Sequence, residues 1–197
     1  MSISAQDVMA LRERTGAGMM ECKKALTETG GDTEKAVNYL RERGLAKAAT
    51  KAGRATKEGL IYAYIHPGDK LGVLLEINCE TDFVARTDEF KGLAKDIAMQ
   101  VAAANPVAVR REDLDPAAVE AERKIFRQQV INEGKPEKIV DKIVEGKMEK
   151  YFGEVCLMEQ AFVKQPELTI NALVQGLISK LGENITVKRF VRYRLGE

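Results

Sequence analysis

Apolar residues occupy alternate positions in the stretch just before residue 80. They share one face at period two: Val73, Leu75, Ile77 and Cys79. Glu76, Asn78 and Glu80 fall on the opposite face. This alternation is typical of a strand with one buried face. The pattern therefore predicts a strand that ends near residue 80.

Helical spacing replaces the alternation after Thr87. The apolar positions there recur every three or four residues: Phe90, Leu93, Ile97 and Val101. Thr87 is a suitable N-cap, and Asp88 and Glu89 follow in the first turn, where carboxylates suit the helix dipole. We predict a helix from Thr87 that ends at Asn105-Pro106. The segment Thr81-Asp82-Phe83-Val84 then connects the strand to the helix.

Three short helices are predicted at the start of the chain. Ser4 caps the first, and the turn Gly16-Ala17-Gly18 ends it. Met19 opens the second helix, Asp32 caps the third, and Gly44 closes it. The inward positions are expected to be Ala5, Val8, Leu11, Ala36, Val37 and Leu40. Together they predict a small three-helix bundle over residues 1–44.

A basic linker is predicted after the bundle, over residues 45–58. The stretch is rich in alanine, and its basic residues recur every three or four positions: Lys47, Lys51, Arg54 and Lys57. This spacing predicts a helical linker with one solvated basic stripe. Nucleic-acid contact is the alternative, but the stretch has no aromatic side chain on which bases could stack.

Residues 59–197 predict a core of antiparallel sheet covered by helices, so the fold class is α+β. A hairpin turn at Pro67-Gly68-Asp69-Lys70 joins GLIYAYIH to LGVLLEINCE. A charged helix runs from Pro116 to Asn132, and the next helical segment breaks at Gly134-Lys135-Pro136 and again at Gly146. The apolar residues of the helix from Pro116 to Asn132 are Val119, Ile125, Phe126 and Val130.

The last elements are a helix and a strand. Thr169 caps a helix that runs to Gly182, and ENITVKRFVRYRL follows as a strand. One face of that strand carries Ile185, Val187, Val191 and Tyr193.

Composition narrows the classes of partner and compartment. With 31 basic and 30 acidic side chains, the net charge is +1, which favours a protein partner over nucleic acid or an anionic membrane. Cys22, Cys79 and Cys156 are far apart and form no metal-binding spacing, so we expect reduced thiols. Neither a signal peptide nor an apolar run of about 20 residues is present, and we expect a soluble cytoplasmic protein.

The motifs of common enzymes are missing from the sequence. There is no GxxxxGK[ST] phosphate loop, HExxH or GxSxG, and His66 is the only histidine. We therefore expect no covalent catalysis, no bound metal and no cofactor.

Two pairs of residues have both a structural and a binding interpretation. In one interpretation, Phe83 is a core residue and Asp82 is a turn or cap residue. In the other, the pair is offered to a partner as a contact. Met19 and Met20 are adjacent in a helix, so only one can face the core. The other is either loosely packed filler or an adaptable protein contact.

Two strings in the chain carry a resemblance that bears on these alternatives. LRERTGAGMMECKKAL at 11–26 and NCETDFVAR at 78–86 resemble the bacterial elongation factor Ts family, in the same order. NEGKPEKIVDKIVEGKMEKY and LGENITVKRF are also similar to that family, so the resemblance covers nearly the whole chain.

The resemblance implies a guanine nucleotide exchange factor for elongation factor Tu. It implies that the bundle has a ubiquitin-associated-like fold and contacts the partner's nucleotide-binding domain through Arg12, Met19, Met20 and Lys23. It assigns displacement of the partner's Mg²⁺ to Thr81, Asp82, Phe83 and Val84, with His66 as a further candidate contact. A chain with a single core is expected to act as a homodimer. The alternative is a protein-interaction module with a different partner.

Overall fold

The computed structural model describes residues 3–197. Its helices and strands are, in chain order, α1 Ala5–Thr15, α2 Met19–Glu28, α3 Thr33–Ala49, β1 Glu58–Ile65, β2 Leu71–Cys79, α4 Asp82–Ala85, α5 Asp88–Ala104, α6 Pro116–Asn132, α7 Glu137–Val155, β3 Ala161–Phe162, β4 Gln165–Thr169, α8 Ile170–Leu181 and β5 Ile185–Arg194. Single 3-10 turns occur at Arg111–Asp113 and Leu157–Glu159. The predicted α+β class is confirmed.

The internal contacts of the chain divide it into two units. The first unit comprises, of the described residues, 3–60 together with Ile77–Leu93 and Ala172–Thr186. The second unit comprises Ile61–Glu76, Ala94–Asn171 and Val187–Glu197.

The predicted three helices of the first unit are present with their caps. Ser4 and Asp7 form a reciprocal capping box on α1, and Gly16 ends that helix in the left-handed region, at φ 66°. Asp32 caps α3 by accepting a hydrogen bond from Lys35 N at 3.0 Å. The buried residues of this bundle are Val8, Leu11, Cys22, Ala25, Leu26 and Ala36.

Two details of the bundle differ from the prediction. Ala5 is exposed rather than inward-facing. Helix α3 does not end at Gly44 but continues to Ala49, so the predicted linker begins as part of that helix. A Cβ at Gly44 would lie 3.3 Å from Ser179 Oγ. The glycine therefore allows close packing at this point and does not terminate the helix.

The basic residues of the linker are largely held by the first unit. Lys47 pairs with Glu21, Lys51 Nζ donates to Gly182 O, and Arg54 lies 3.5 Å from Glu80. Lys47 and Arg54 remain 44% and 50% exposed, so the pairing is compatible with the predicted solvated stripe, but it makes nucleic-acid contact through these side chains less favourable.

Three strands form one sheet in the order β1-β2-β5. The predicted hairpin turn joins β1 to β2, and His66 N donates to Leu71 O at 2.9 Å beside it. The four apolar residues that alternate along one face of β2 are all buried, as predicted: Val73, Leu75, Ile77 and Cys79. On β5, Ile185 and Val187 are buried, but Val191 and Tyr193 are 46% and 72% exposed.

The helices of the second unit follow the prediction closely except at one glycine. Helix α6 has the predicted bounds, although Ile125 is 51% exposed. Helix α7 passes through Gly146 without a break, because Val144 and Met148 on either side of it are buried. The core between α6 and α7 contains Val130, Val140, Val144, Met148, Phe152 and Cys156.

A second sheet, formed by the short strands β3 and β4, was absent from the prediction. The buried side chain of Gln100 holds it. Gln100 Nε2 donates to Ala161 O at 3.2 Å, and Gln100 Oε1 accepts from Val163 N at 2.9 Å.

Candidate functional site

A single helical turn connects β2 to α5, and it carries the residues singled out by the sequence. Thr81 caps α4, and its hydroxyl accepts a hydrogen bond from Val84 N at 3.4 Å. We refer to residues 81–85 as the Phe83 turn. The predicted connecting segment is thus a capped helical turn, and the next cap follows at once, since Thr87 Oγ1 accepts from Phe90 N at 3.3 Å.

Phe83 projects from this turn into solvent. It is 77% exposed, whereas its neighbours Val84 and Ala85 are 5% and 8% exposed. The interpretation of Phe83 as a core residue is therefore wrong. Because the residues that follow it are buried, the ring is presented by an anchored turn.

Asp82 stands beside the ring without capping the helix. Thr81 fills the cap position, so Asp82 lies in the first turn, where its charge suits the helix N-terminus. Asp82 Oδ2 lies 2.9 Å from Arg86 Nη2, and both side chains are mostly exposed. The carboxylate is therefore accessible, and its pairing with Arg86 is weak enough to be exchanged for another partner.

Glu183 holds the start of the Phe83 turn. Thr81 N donates to Glu183 Oε2 at 3.0 Å, and Thr81 Oγ1 donates to Glu183 Oε1 at 2.6 Å. Sequence reasoning missed this residue, because no local pattern connects two positions about a hundred residues apart. The only available signal was the polar connection between α8 and β5.

The predicted contact residues of the bundle are also on the surface of the first unit. Met20 is 76% exposed and Met19 is 40% exposed, at the first two positions of α2. Arg12 and Lys23 are exposed as well. Both methionines are therefore accessible, whereas the sequence required only that one of the two point away from the core.

His66 belongs to the second unit and lies beside the hairpin turn. It is exposed, and its Nδ1 lies 3.0 Å from the Tyr64 hydroxyl. The tyrosine contacts one side of the imidazole, and the residue as a whole remains exposed.

The three cysteines are free and buried. Burial raises the pKa of the Cys79 thiol, and likewise the pKa of the Cys156 thiol, to about 11. Such thiols stay protonated near neutral pH, so they are poor nucleophiles. Over the part of the chain that the structure describes, no group of three or more His, Cys, Asp or Glu side chains is arranged to hold a metal ion.

Among residues 3–197, no helix combines the length with the apolar character that crossing a bilayer requires.

Comparison with known proteins places these features in one family. The family model described as Elongation factor TS matches residues 20–197. Elongation factor Ts of Heliobacterium modesticaldum is 62% identical over 195 residues, which covers 99% of this chain and 91% of that protein. Elongation factor Ts of Desulforamulus reducens is 60% identical, with coverage of 99% and 90%. Elongation factor Ts of Thermoanaerobacter sp. is also 60% identical, with coverage of 99% and 96%. The chain therefore belongs to the elongation factor Ts family of translation elongation factors.

Proposed function

We propose that the chain is a guanine nucleotide exchange factor that binds elongation factor Tu, dislodges its Mg²⁺, and promotes GDP release and GTP rebinding in the cytoplasm. Membership of the family supports this role. The observation that carries the mechanism is the 77% exposure of Phe83 on a turn whose next two residues are buried.

Exchange requires differential binding and no covalent chemistry. A nucleotide bound with nanomolar affinity is held by about 12 kcal/mol, so unaided release is slow. A factor that binds better to the partner conformation with spoiled phosphate and Mg²⁺ contacts shifts the population toward it. Of the site residues Thr81, Asp82, Phe83 and Val84, the exposed Asp82 and Phe83 supply that preference by contact, while Thr81 as the cap and the buried Val84 hold the turn that presents them.

Phe83 provides part of the preference by inserting into the partner. Complete burial of a phenylalanine side chain stabilises a complex by about 1.5–3 kcal/mol. Since about 1.4 kcal/mol corresponds to a factor of ten, this one ring weakens nucleotide binding by about one to two orders of magnitude. A broader contact must supply the remainder.

Asp82 acts on the metal-binding segment of the partner. Its carboxylate either repels the carboxylates and phosphates around Mg²⁺ or accepts a hydrogen bond that holds the segment displaced. Because the ion pair between Asp82 and Arg86 is exposed, the Asp82 carboxylate is accessible for either action. The third interpretation, a structural cap, is disfavoured because Thr81 occupies that position.

The bundle supplies the broader contact. We propose that residues 1–44 form a ubiquitin-associated-like docking module, that residues 45–58 connect it to the core, and that residues 59–197 carry the exchange turn. Arg12, Met19, Met20 and Lys23 contact the nucleotide-binding domain of the partner. The exposed, flexible methionines suit such an adaptable surface. His66 is a further contact, made from the second unit.

A homodimer is the proposed assembly, through an open face of the sheet in the second unit. Six apolar side chains on or beside this face are exposed by 46–77%: Ile61, Ile65, Leu74, Val191, Tyr193 and Leu195. Ile65 lies over Gly72, and Arg189 pairs with Glu76 at 2.7 Å on the same face. An apolar sheet face of this kind can pack on its own copy about a two-fold axis.

Nucleotide and factor oppose each other's binding to the partner. If the chain lowers the partner's affinity for nucleotide by a given ratio, nucleotide lowers the partner's affinity for the chain by the same ratio. GTP that rebinds therefore helps to expel the chain, and the cycle requires no energy input from it.

The test is the release rate of fluorescent GDP from purified elongation factor Tu with and without this chain. We expect acceleration by the parent chain and a loss of about 10- to 100-fold in Phe83→Ala. Val107→Ala is the matched control, because Val107 is 70% exposed but lies outside the proposed site. No acceleration by the parent would contradict the exchange function and favour an interaction module with a different partner. A fully active Phe83→Ala would contradict the proposed mechanism alone.

A further inference from the structure

The single turn that presents Phe83 cannot be stable through its own hydrogen bonds. Helix α4 has four residues, and isolated helices shorter than about 12 residues are marginal in water. Val84 and Ala85 anchor its second half by burial. Its first half contains Asp82 and the exposed ring, and it needs a different anchor.

Glu183 is that anchor, because it binds both hydrogen-bond donors of Thr81. Its two carboxylate oxygens accept from the backbone N and the hydroxyl, at 3.0 and 2.6 Å. Hydrogen bonds to an ionised carboxylate are roughly twice as strong as neutral ones. The same hydroxyl accepts from Val84 N. Loss of the carboxylate would therefore release the capping hydroxyl as well as the backbone.

The two neighbouring segments hold each other through a reciprocal pair of bonds. The Glu183 side chain accepts from the backbone of Thr81, and the Glu80 side chain accepts from the backbone of Asn184, at 2.6 Å. Each segment thus uses one carboxylate to fix the backbone of the other. This arrangement restrains both the position and the direction of the chain as it enters the Phe83 turn.

Glu183 is held in place by its own neighbours. Gly182 ends α8 in the left-handed region, at φ 82°, and its carbonyl accepts from Lys51 Nζ. Asn184 is 6% exposed, and its side chain donates to Ala52 O at 3.3 Å and Arg54 O at 2.8 Å. A carboxylate with fixed residues on both sides is suited to a positioning role.

We propose that Glu183 is a positioning residue for exchange, which orients the start of α4 so that Phe83 meets the partner in one direction. The proposal rests on the exchange function proposed above. Without the carboxylate, the ring remains exposed and the bundle remains able to dock. The ring then samples several directions, and only a fraction of encounters displaces the metal.

Steady-state exchange separates this role from a docking role. We expect Glu183→Ala to lower the maximal rate of GDP release about 10-fold while the half-saturating concentration of the chain changes less than about 2-fold. Glu183→Gln keeps a single acceptor oxygen and should retain an intermediate rate. Glu145→Ala, which removes a paired carboxylate from α7, should match the parent. An unchanged maximal rate in Glu183→Ala, or a loss confined to the half-saturating concentration, would overturn the proposal.

Non-additivity tests whether Glu183 acts through the ring. Once the ring is gone, its orientation has no effect, so the double variant Glu183→Ala/Phe83→Ala should be no slower than Phe83→Ala. Additive losses in the double variant would show that Glu183 contributes by another route, such as general destabilisation.

A fluorescent reporter tests the positioning without the partner. The sequence has no tryptophan, so Phe83→Trp introduces the sole indole of the chain. We expect that adding Glu183→Ala lowers the anisotropy of this indole and raises its quenching by acrylamide. Unchanged anisotropy would overturn the positioning role even if the parent accelerates GDP release. If the parent does not accelerate release, the exchange function fails separately, and this measurement still decides the structural claim.

Discussion

Lys180 forms an ion pair with Glu89, with Nζ and Oε1 3.5 Å apart. The same side chain packs beside Gly16, where a Cβ would lie 3.9 Å from its Cδ, Cε and Nζ atoms. Glu89 lies in the first turn of α5, immediately after the Phe83 turn, and Gly16 lies immediately before the methionines of α2. One lysine of α8 therefore connects the two parts of the proposed partner surface within the first unit.

Met20→Ala should weaken docking without slowing GDP release at a saturating concentration of the chain. The side chain is 76% exposed, and its burial against the partner favours the complex. We expect the half-saturating concentration of the chain to rise about 5- to 20-fold in GDP-release assays, with an unchanged maximal rate. Ile131→Ala removes a side chain that is 50% exposed on α6 and serves as the control. A lower maximal rate with unchanged half-saturation would contradict the docking role.

Tyr193→Asp should separate the proposed dimer. A charge on the open face of the sheet loses its hydration when two copies pack together, which is costly. We expect the parent to sediment at twice the chain mass of 21.8 kDa and the variant at the chain mass. Val107→Asp adds the same charge at another exposed site and should leave the dimer intact. A parent that sediments as a single chain at every concentration would refute the assembly.

Gly59→Ala should destabilise the fold strongly. Gly59 has φ 145°, and a Cβ there would lie 2.2 Å from Ile77 O and 2.7 Å from Asn78 Cα. We expect the free energy of unfolding in urea to fall by about 3 kcal/mol or more, because both strain and a backbone clash are introduced. Gly68→Ala is the comparison: its φ is 95° with no atom within 4 Å, so it should cost only about 1–2 kcal/mol. Equal losses would show that the clash has no effect.

The buried thiols should make stability fall at alkaline pH. Burial raises the pKa of Cys79 from 9.0 to about 11, so between these values the folded thiol keeps a proton that the unfolded thiol loses. Ionisation then favours the unfolded chain, and the free energy of unfolding decreases by up to about 1.4 kcal/mol per pH unit. Cys79→Ala should show a shallower decrease than the parent between pH 9 and 11 in urea titrations. Identical slopes would indicate that the folded thiol is not protected.

The elements that the sequence predicted well are those with a strong local signal. The alternation through Val73 and Ile77 determines a strand because one face must be buried. The caps at Ser4, Asp32 and Thr87 locate helix starts because their side chains satisfy backbone N–H groups that have no other partner.

The errors at glycine arose because tertiary contacts override local preference. Gly44 lies inside α3, where it allows the approach of Ser179. Gly146 lies inside α7, where buried residues on either side stabilise the helix despite the glycine. Strands β3 and β4 are too short for a periodicity to be visible, and a side chain from α5 holds them. None of these contacts is encoded within a short window of sequence.

The candidate site was only half predictable. The position of Phe83 between a strand and a helix was readable from the pattern, but its exposure was not, because an aromatic residue next to Val84 fits a core equally well. The family resemblance favoured a Phe83 that is exposed to a partner, and its 77% exposure agrees with that prediction. The anchoring role of Glu183 depends on contact between segments that are distant in sequence, which no local pattern encodes.

The unbroken course of α3 from Thr33 to Ala49 has a consequence for affinity. If a flexible chain tethered the bundle, the bundle would search a large volume before the Phe83 turn could reach the same partner molecule. Helix α3 instead packs at Gly44 against Ser179 of α8 within the first unit, and this packing narrows that volume, so the first contact raises the effective concentration of the second. Two proposed attachments that are individually weak would then combine into tight capture, and each would still detach when GTP rebinds.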